Sequence, residues 1–244
     1  MTALTCGNRA GDVPAPDEAP TDVALAVIAK CPVAGFAKTR LCPPCSAAQA
    51  AKLAEAALLD TLWTVARTPA ARHVLVLDGE PQSALAEGLQ AIGEQIGPFE
   101  IVPQRGDDLA SRLACAFADI GAATLILGMD TPQATPRLLA EGLRALVARD
   151  TDAVLGRAED GGYWTIGLKR PDARVFDGVP MSTPDTANLQ QERLRSLGLR
   201  IAELGTLRDF DAFPDALEVA ALAPGTRFAR TLAPISEELA AGVA

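Results

Sequence analysis

The sequence predicts an α/β fold: a single three-layer α/β/α domain with a mixed, mainly parallel sheet. Three observations predict it. Between residues 23 and 149, strand-length apolar runs alternate with stretches of helical period, the rhythm of a parallel sheet covered on both faces. After 150 the rhythm changes: 153–156 and 163–168 are strand-like but joined only by the polar turn 157–162. That leaves no room for a crossover helix and implies an antiparallel extension. No linker or internal repeat divides 22–223, so this stretch reads as one domain, with a tail at each end.

Taken in order, residues 1–21 are rich in proline and acid and poor in apolar side chains, the composition of a flexible tail. The first strand is the apolar run 23–29. A helix opens at Ser46, with Gln49 at capping-box spacing and Leu53, Ala57, Leu58 and Leu62 on one face. The second strand, 73–77, stops at Asp78-Gly79, a turn signal. A helix over 84–96, a short strand over 99–102 and a helix over 108–120 follow. The strand 124–127 ends in Gly128-Met129-Asp130-Thr131-Pro132. Thr135-Pro136 then starts a helix running to about 149, with proline in its first turn. The chain closes with a helix over 184–197, a strand over 200–204 and a helix over 213–223. Residues 224–244 read as a peripheral tail, helical from Ser236.

Composition narrows the function. Of 244 residues 49% are hydrophobic, enough for a sizeable core, yet no apolar run approaches the ~20 residues of a membrane span. The first ten residues lack a secretory pattern, so a soluble cytoplasmic protein is expected. A net charge of −9 argues against nucleic-acid binding, which rests on basic surface. The five cysteines, an odd number, fit reduced thiols. Cys42 and Cys45 have C-x-x-C spacing, but zinc wants four ligands and the only histidine, His73, lies in an apolar run. Two incidental thiols in a proline turn is the favoured reading.

Four stretches carry chemistry. The loop after the first strand holds Gly35, the cations Lys30, Lys38 and Arg40, and no acid, so it suits a chain of phosphates. It matches neither the Walker spacing nor the dinucleotide fingerprint, and a solvated basic loop is the plainer alternative. Asp130 stands at the carboxyl end of a central strand, where open sheets bind ligands and where one carboxylate can hold Mg²⁺. A turn aspartate is the alternative. Asp209 and Asp211, two apart after the last strand, point the same way if the backbone stays extended; capping of the next helix is equally open. Asp160-Gly161-Gly162-Tyr163-Trp164 sets two glycines and two aromatics beside an acid, a hairpin turn that could also form a ligand wall.

Together these stretches carry a resemblance. Ala29 to Leu41 fits A-K-x-P-x-x-G-x-x-K-T-R-L; Gln104-x-Gly106-x-x-Leu109-x-x-Arg112, Gly128-x-Asp130-x-Pro132, Asp160-Gly161-Gly162-Tyr163-x-x-x-Gly167-Leu168 and Asp209-x-Asp211 follow. Over about 23–220 the chain resembles small bacterial glycosyltransferase-annotated proteins of the nucleotide-diphospho-sugar transferase (GT-A-like) superfamily, including arsenosugar-biosynthesis members. It is more distantly similar to phospholactate and molybdenum-cofactor guanylyltransferases. The resemblance implies a nucleotide at the carboxyl edge of the sheet, contacted by Ala29, Lys30, Pro32, Gly35, Lys38, Arg40, Arg112, Gly128 and Asp130. It implies Mg²⁺ or Mn²⁺ on Asp130 and Asp211, and an acceptor side at Gly161, Gly162 and Tyr163. Lys38, Arg40, Asp130 and Asp160 become the catalytic candidates. The sequence departs from the family at Gly156-Arg157 and at Ala212-Phe213-Pro214.

The activity expected is a metal-dependent transfer from a nucleotide-activated donor to a small-molecule acceptor. Glycosyl transfer from a nucleotide-sugar is favoured by the resemblance. Nucleotidyl transfer from a nucleoside triphosphate to a small phosphorylated acceptor is favoured by the cationic loop. A non-catalytic nucleotide-binding protein is the third reading. A homodimer is compatible with each.

Overall fold

The structure is a computed structural model and describes residues 22–80, 83–95 and 97–241. The tail expected over 1–21, with Cys6, lies outside the described residues. Among the described residues, seven strands build one sheet: β1 (Val23–Lys30), β2 (Arg72–Asp78), β3 (Glu100–Pro103), β4 (Ala123–Leu127), β5 (Ala153–Ala158), β6 (Tyr163–Leu168) and β7 (Ile201–Leu207). Their order is β3-β2-β1-β4-β6-β5-β7. All pairings are parallel except those of β6, which runs against both β4 and β5. The expected antiparallel extension is therefore a β5–β6 hairpin set inside the sheet. Because only β6 is reversed, its first residue, Tyr163, lies at the edge where the other six strands end.

The described residues hold seven helices: α1 (Ala47–Ala66), α2 (Ser83–Gln95), α3 (Leu109–Ile120), α4 (Pro136–Val147), α5 (Thr186–Ser196), α6 (Phe213–Leu222) and α7 (Arg227–Ala241). Strand alternation assigns four of them to the two faces of the sheet. Leu25, Val27 and Ala29 of β1 pack with α1 and α4 through Leu58, Leu62, Leu139, Leu143 and Leu146. Ala24 and Ala26 face the other way, onto Leu113, Phe117 and Ile120 of α3 and Leu194 of α5. Local signals set the starts. Ser46 and Gln49 form the reciprocal cap of α1. Asp108 caps α3 and Thr135, before a proline, caps α4.

Several expected boundaries shift by one or two residues, β5 reaching Ala158 among them, and two differ more. β7 runs three residues further than expected, to Leu207, because β5 continues past a bulge at Gly156 and Arg157 and pairs Ala158 with Leu207. The segment from 224, expected as a peripheral tail helical only from Ser236, instead forms α7 from Arg227. Its face of Phe228, Leu232 and Ile235 is buried in a third apolar cluster, with Leu53 of α1, Val219 of α6 and Phe210. Pro234 lies inside this helix and reads in sequence as a breaker, which hides the amphipathic spacing on either side of it. α7 is tied at its start by Asp60 of α1, which accepts from the backbone N–H groups of Arg227 (3.1 Å) and Phe228 (2.8 Å).

Candidate active site

The carboxyl ends of β1, β4 and β7 converge on one group of charges. β1 leads into the loop 31–38. The short 3₁₀ turn Thr39–Leu41 then anchors that loop to the core through the fully buried Leu41. Lys38 sits in the left-handed region, φ 50° and ψ 42°, a conformation that costs a non-glycine residue ~1 kcal/mol or more. Its side chain shows what holds it there. The ammonium donates to Asp130 Oδ2 (2.9 Å), Asp211 Oδ1 (2.8 Å) and the Phe210 carbonyl (2.7 Å), and lies 4.5 Å from the centre of the Phe210 ring. Arg40, mostly exposed, takes the second oxygen of Asp211 at 2.8 Å.

Asp209 completes the group. One oxygen from each of Asp130, Asp209 and Asp211 lies within 4.8 Å of the others, a spacing that can hold a metal ion. The two aspartates after β7 thus share a side, as their spacing predicts, while Phe210 between them is fully buried. Asp211 is not the cap of α6; the residue that caps is Asp215, whose carboxylate accepts from the Ala212 N–H at 3.0 Å. Electrostatics divides the three acids. Burial, then the charges of Asp130 and Asp160, with Asp211 adding to them, pushes Asp209 up to about 7. Against the effect of burial, Lys38 and Arg40 hold Asp211 below the usual carboxylate range. Lys38 is disfavoured as a cation by burial, but Asp130 and Asp211 outweigh this and raise it above the usual lysine value.

Beside this group lies a cleft of about 420 Å³, with Asp130 on its wall. Ala29 and Lys30 from the end of β1, Gly128 after β4 and Arg112 from α3 line it around an apolar floor of Ile28, Leu113, Ile126 and Ile166. Arg112 is held by Asp78 at 2.6 Å and by Gln104 Oε1 at 3.2 Å, and the Gln104 amide in turn donates to the Ala29 carbonyl at 2.6 Å. Tyr163 lines the cleft too, its phenol pushed up by burial. Asp160 closes its own turn by accepting from the Gly162 N–H at 2.7 Å. Gly161 has φ 93°, and a Cβ there would meet the Pro184 carbonyl oxygen at 1.8 Å, so only glycine fits.

Of the sequence-named residues, Lys38, Arg40, Asp130 and Asp211 meet at the charge cluster, and Ala29, Lys30, Arg112, Gly128 and Tyr163 line the cleft. Asp160, Gly161 and Gly162 form the turn before Tyr163, outside the cleft lining. Pro32, half-buried, and Gly35, exposed, lie in the loop outside the cleft lining, and no other group approaches the Cβ position of Gly35. Two contributors were missed as site members. Asp209 was visible only as half of a spaced pair. Ser182, at φ 59° on the cleft wall, carried no signal that separated it from a loop serine. Cys31, Cys42, Cys45 and Cys115 are free thiols.

Residues 61–183 match a family described as an uncharacterized protein conserved in bacteria, DUF2064, over half of the chain. The chain belongs to this family. The match includes Arg112, Asp130 and Asp160 to Tyr163, whereas Lys38 and the Asp209–Asp211 pair lie outside it. No curated protein matches the chain. Among solved structures, a provisionally assigned nucleotide-diphospho-sugar transferase from Desulfovibrio desulfuricans G20 superposes with a TM-score of 0.74 at 24% identity, over 90% of this chain and 97% of that one. The CMP:2-keto-3-deoxy-manno-octonic acid synthetase complexed with CTP gives 0.51 at 15% identity, over 83% and 99%. A cytidylyltransferase from Leptospira borgpetersenii serovar Hardjo-bovis (strain JB197) gives 0.51 at 12%, over 89% and 95%. The DUF2064 chain therefore has the fold of nucleotide-diphospho-sugar transferases and cytidylyltransferases, the mixed α/β/α architecture its sequence predicts.

Proposed function

We propose that this chain is a metal-dependent transferase that uses a nucleotide-activated donor, transferring a glycosyl group from a nucleotide-diphospho-sugar to a small-molecule acceptor. One observation carries the reading: Lys38 brings the ends of β1, β4 and β7 together, binding Asp130 and Asp211 at 2.9 and 2.8 Å beside a cleft of nucleotide size. The residues fit a divalent cation on their own chemistry. Three carboxylates offer oxygens within 4.8 Å of one another, and the same group already gathers a buried ammonium. Asp130, Asp209 and Asp211 would hold Mg²⁺ or Mn²⁺, which supplies charge neutralisation to a diphosphate leaving group.

This chain's own residues do the rest. Lys30 and Arg112 face the cleft and supply positive charge for phosphate oxygens. Arg40 keeps most of its guanidinium open to a ligand while one nitrogen stays on Asp211. The apolar floor receives the base. Asp160 to Tyr163 form the acceptor side, with Asp160 orienting the acceptor. Such reactions need positioning and charge more than covalent chemistry from the protein.

A second reading, nucleotidyl transfer, is favoured by the number of cations around the loop and by the likeness in fold to cytidylyltransferases. The two reactions differ in product. We expect a panel of nucleotide-sugars with Mn²⁺ to yield a nucleoside diphosphate, and the four triphosphates to yield no pyrophosphate. Pyrophosphate from one triphosphate would instead establish the second reading. Consumption of neither class, with nucleotide binding retained, would leave a binding protein.

A further inference from the structure

Lys38 is the most buried cation of the site, and it does not face the cleft. Its ammonium is taken up by three protein oxygens, Asp130 Oδ2, Asp211 Oδ1 and the Phe210 carbonyl, at 2.7–2.9 Å. Two of those three belong to the carboxylates that would bind the metal. The ammonium therefore stands where a divalent ion would draw its ligands. A hard cation of this kind binds carboxylate oxygens at 2.0–2.6 Å. An ion sharing both oxygens with Lys38 would sit against a second positive charge, with little water between to screen them.

We propose that Lys38 is a built-in stand-in for the metal: its ammonium and the divalent ion hold Asp130 and Asp211 in alternation. Without metal, Lys38 neutralises the two carboxylates and keeps the three strand ends together. When a divalent ion takes the carboxylates, Lys38 releases them and its ammonium is freed toward the donor phosphates. Its left-handed backbone fits this: the ion pairs offset a conformation that is costly for a non-glycine residue, and it can relax once they part. Arg40 keeps a hold on the outer oxygen of Asp211, so Asp211 is never left without a positive neighbour. The inference rests on the metal-site reading above and adds to it an order of occupancy.

The test uses the full chain without nucleotide. Lysine acylation is followed residue by residue by mass spectrometry, with and without saturating Mn²⁺. Calorimetry measures Mn²⁺ binding to the wild type and to Lys38→Met, which keeps length and apolar bulk. Lys38 is expected to resist acylation without metal and to react several-fold faster with Mn²⁺, and Lys38→Met is expected to bind Mn²⁺ at least tenfold more tightly. If wild type binds Mn²⁺ while Lys38 stays protected, alternation is wrong and the metal site stands. If Lys38→Met binds Mn²⁺ no better than wild type, alternation is also wrong. If neither protein binds Mn²⁺, the metal site and the alternation fall together. The labelling arm needs no variant and holds even if Lys38→Met folds poorly.

Discussion

At the scale of single residues, the site concentrates groups that the rest of the fold would be more stable without. Asp209 is the plainest. Its folded pKa is raised to about 7 from an ordinary 3.8, by burial and by the facing Asp130 and Asp160. Between those values the folded protein keeps a proton that the unfolded chain has released. Stability contributed here is therefore lost as pH rises from about 4 to about 7. Asp209→Asn removes that dependence. In urea unfolding without added metal, the variant should gain on wild type at pH 8 and show no such gain at pH 4; an equal difference at both would contradict the assignment. Gly161 makes the opposite kind of demand. Gly161→Ala places a Cβ 1.8 Å from the Pro184 carbonyl oxygen at φ 93°, and should cost ~1–3 kcal/mol in backbone strain alone. A thermal shift within 1 °C of wild type would show that the turn relaxes freely.

At the scale of elements, the site is held from behind by the C-terminal helix. Phe228 of α7 packs on Phe210 with ring centroids 4.5 Å apart, and Phe210 carries the two aspartates on either side of it. Asp60 of α1 fixes the start of α7 through two backbone N–H groups. Asp60→Ala should cost ~1–2 kcal/mol, the worth of a good N-terminal cap, and Phe228→Ala ~3–5 kcal/mol, the worth of a buried aromatic. Only Phe228→Ala should also weaken Mn²⁺ binding beyond what its stability loss explains, because Phe210 then loses its support. Calorimetry on the two variants, at temperatures where both are folded, separates the effects.

Elements were the most legible level in the sequence, and the reasons are local. The starts at Ser46 and Thr135 and the unbroken apolar runs of the central strands are written in neighbouring residues. What failed to show is long-range. Pro234 masked α7 because its helix is stabilised by packing on Leu53 and Phe210, far away in the chain. The reach of β7 to Leu207 depended on its partner β5. In the site, Lys38, Asp130 and Asp211 were legible as residue types at strand ends. That Lys38 binds the two acids, rather than waiting free for phosphate, depended on three strand ends meeting, and no spacing encodes that. For the same reason Ser182 was missed, and Asp209, read as one of a spaced pair, was given no ligand role.

At the scale of the whole molecule, one reversed strand among six parallel ones brings the turn 159–162 and Tyr163 to the same edge as the ends of β1, β4 and β7. The residues proposed for the donor and for the acceptor thus share one face. No helix among the described residues is long and apolar enough to cross a membrane. We propose above all that this edge binds a nucleotide together with a divalent ion through Asp130. Calorimetric titration of wild type and Asp130→Ala with nucleotides, with and without Mg²⁺, decides it. Wild-type affinity should rise with Mg²⁺ and that metal-dependent part should vanish in Asp130→Ala; an unchanged Mg²⁺-nucleotide affinity in the variant would contradict the proposal.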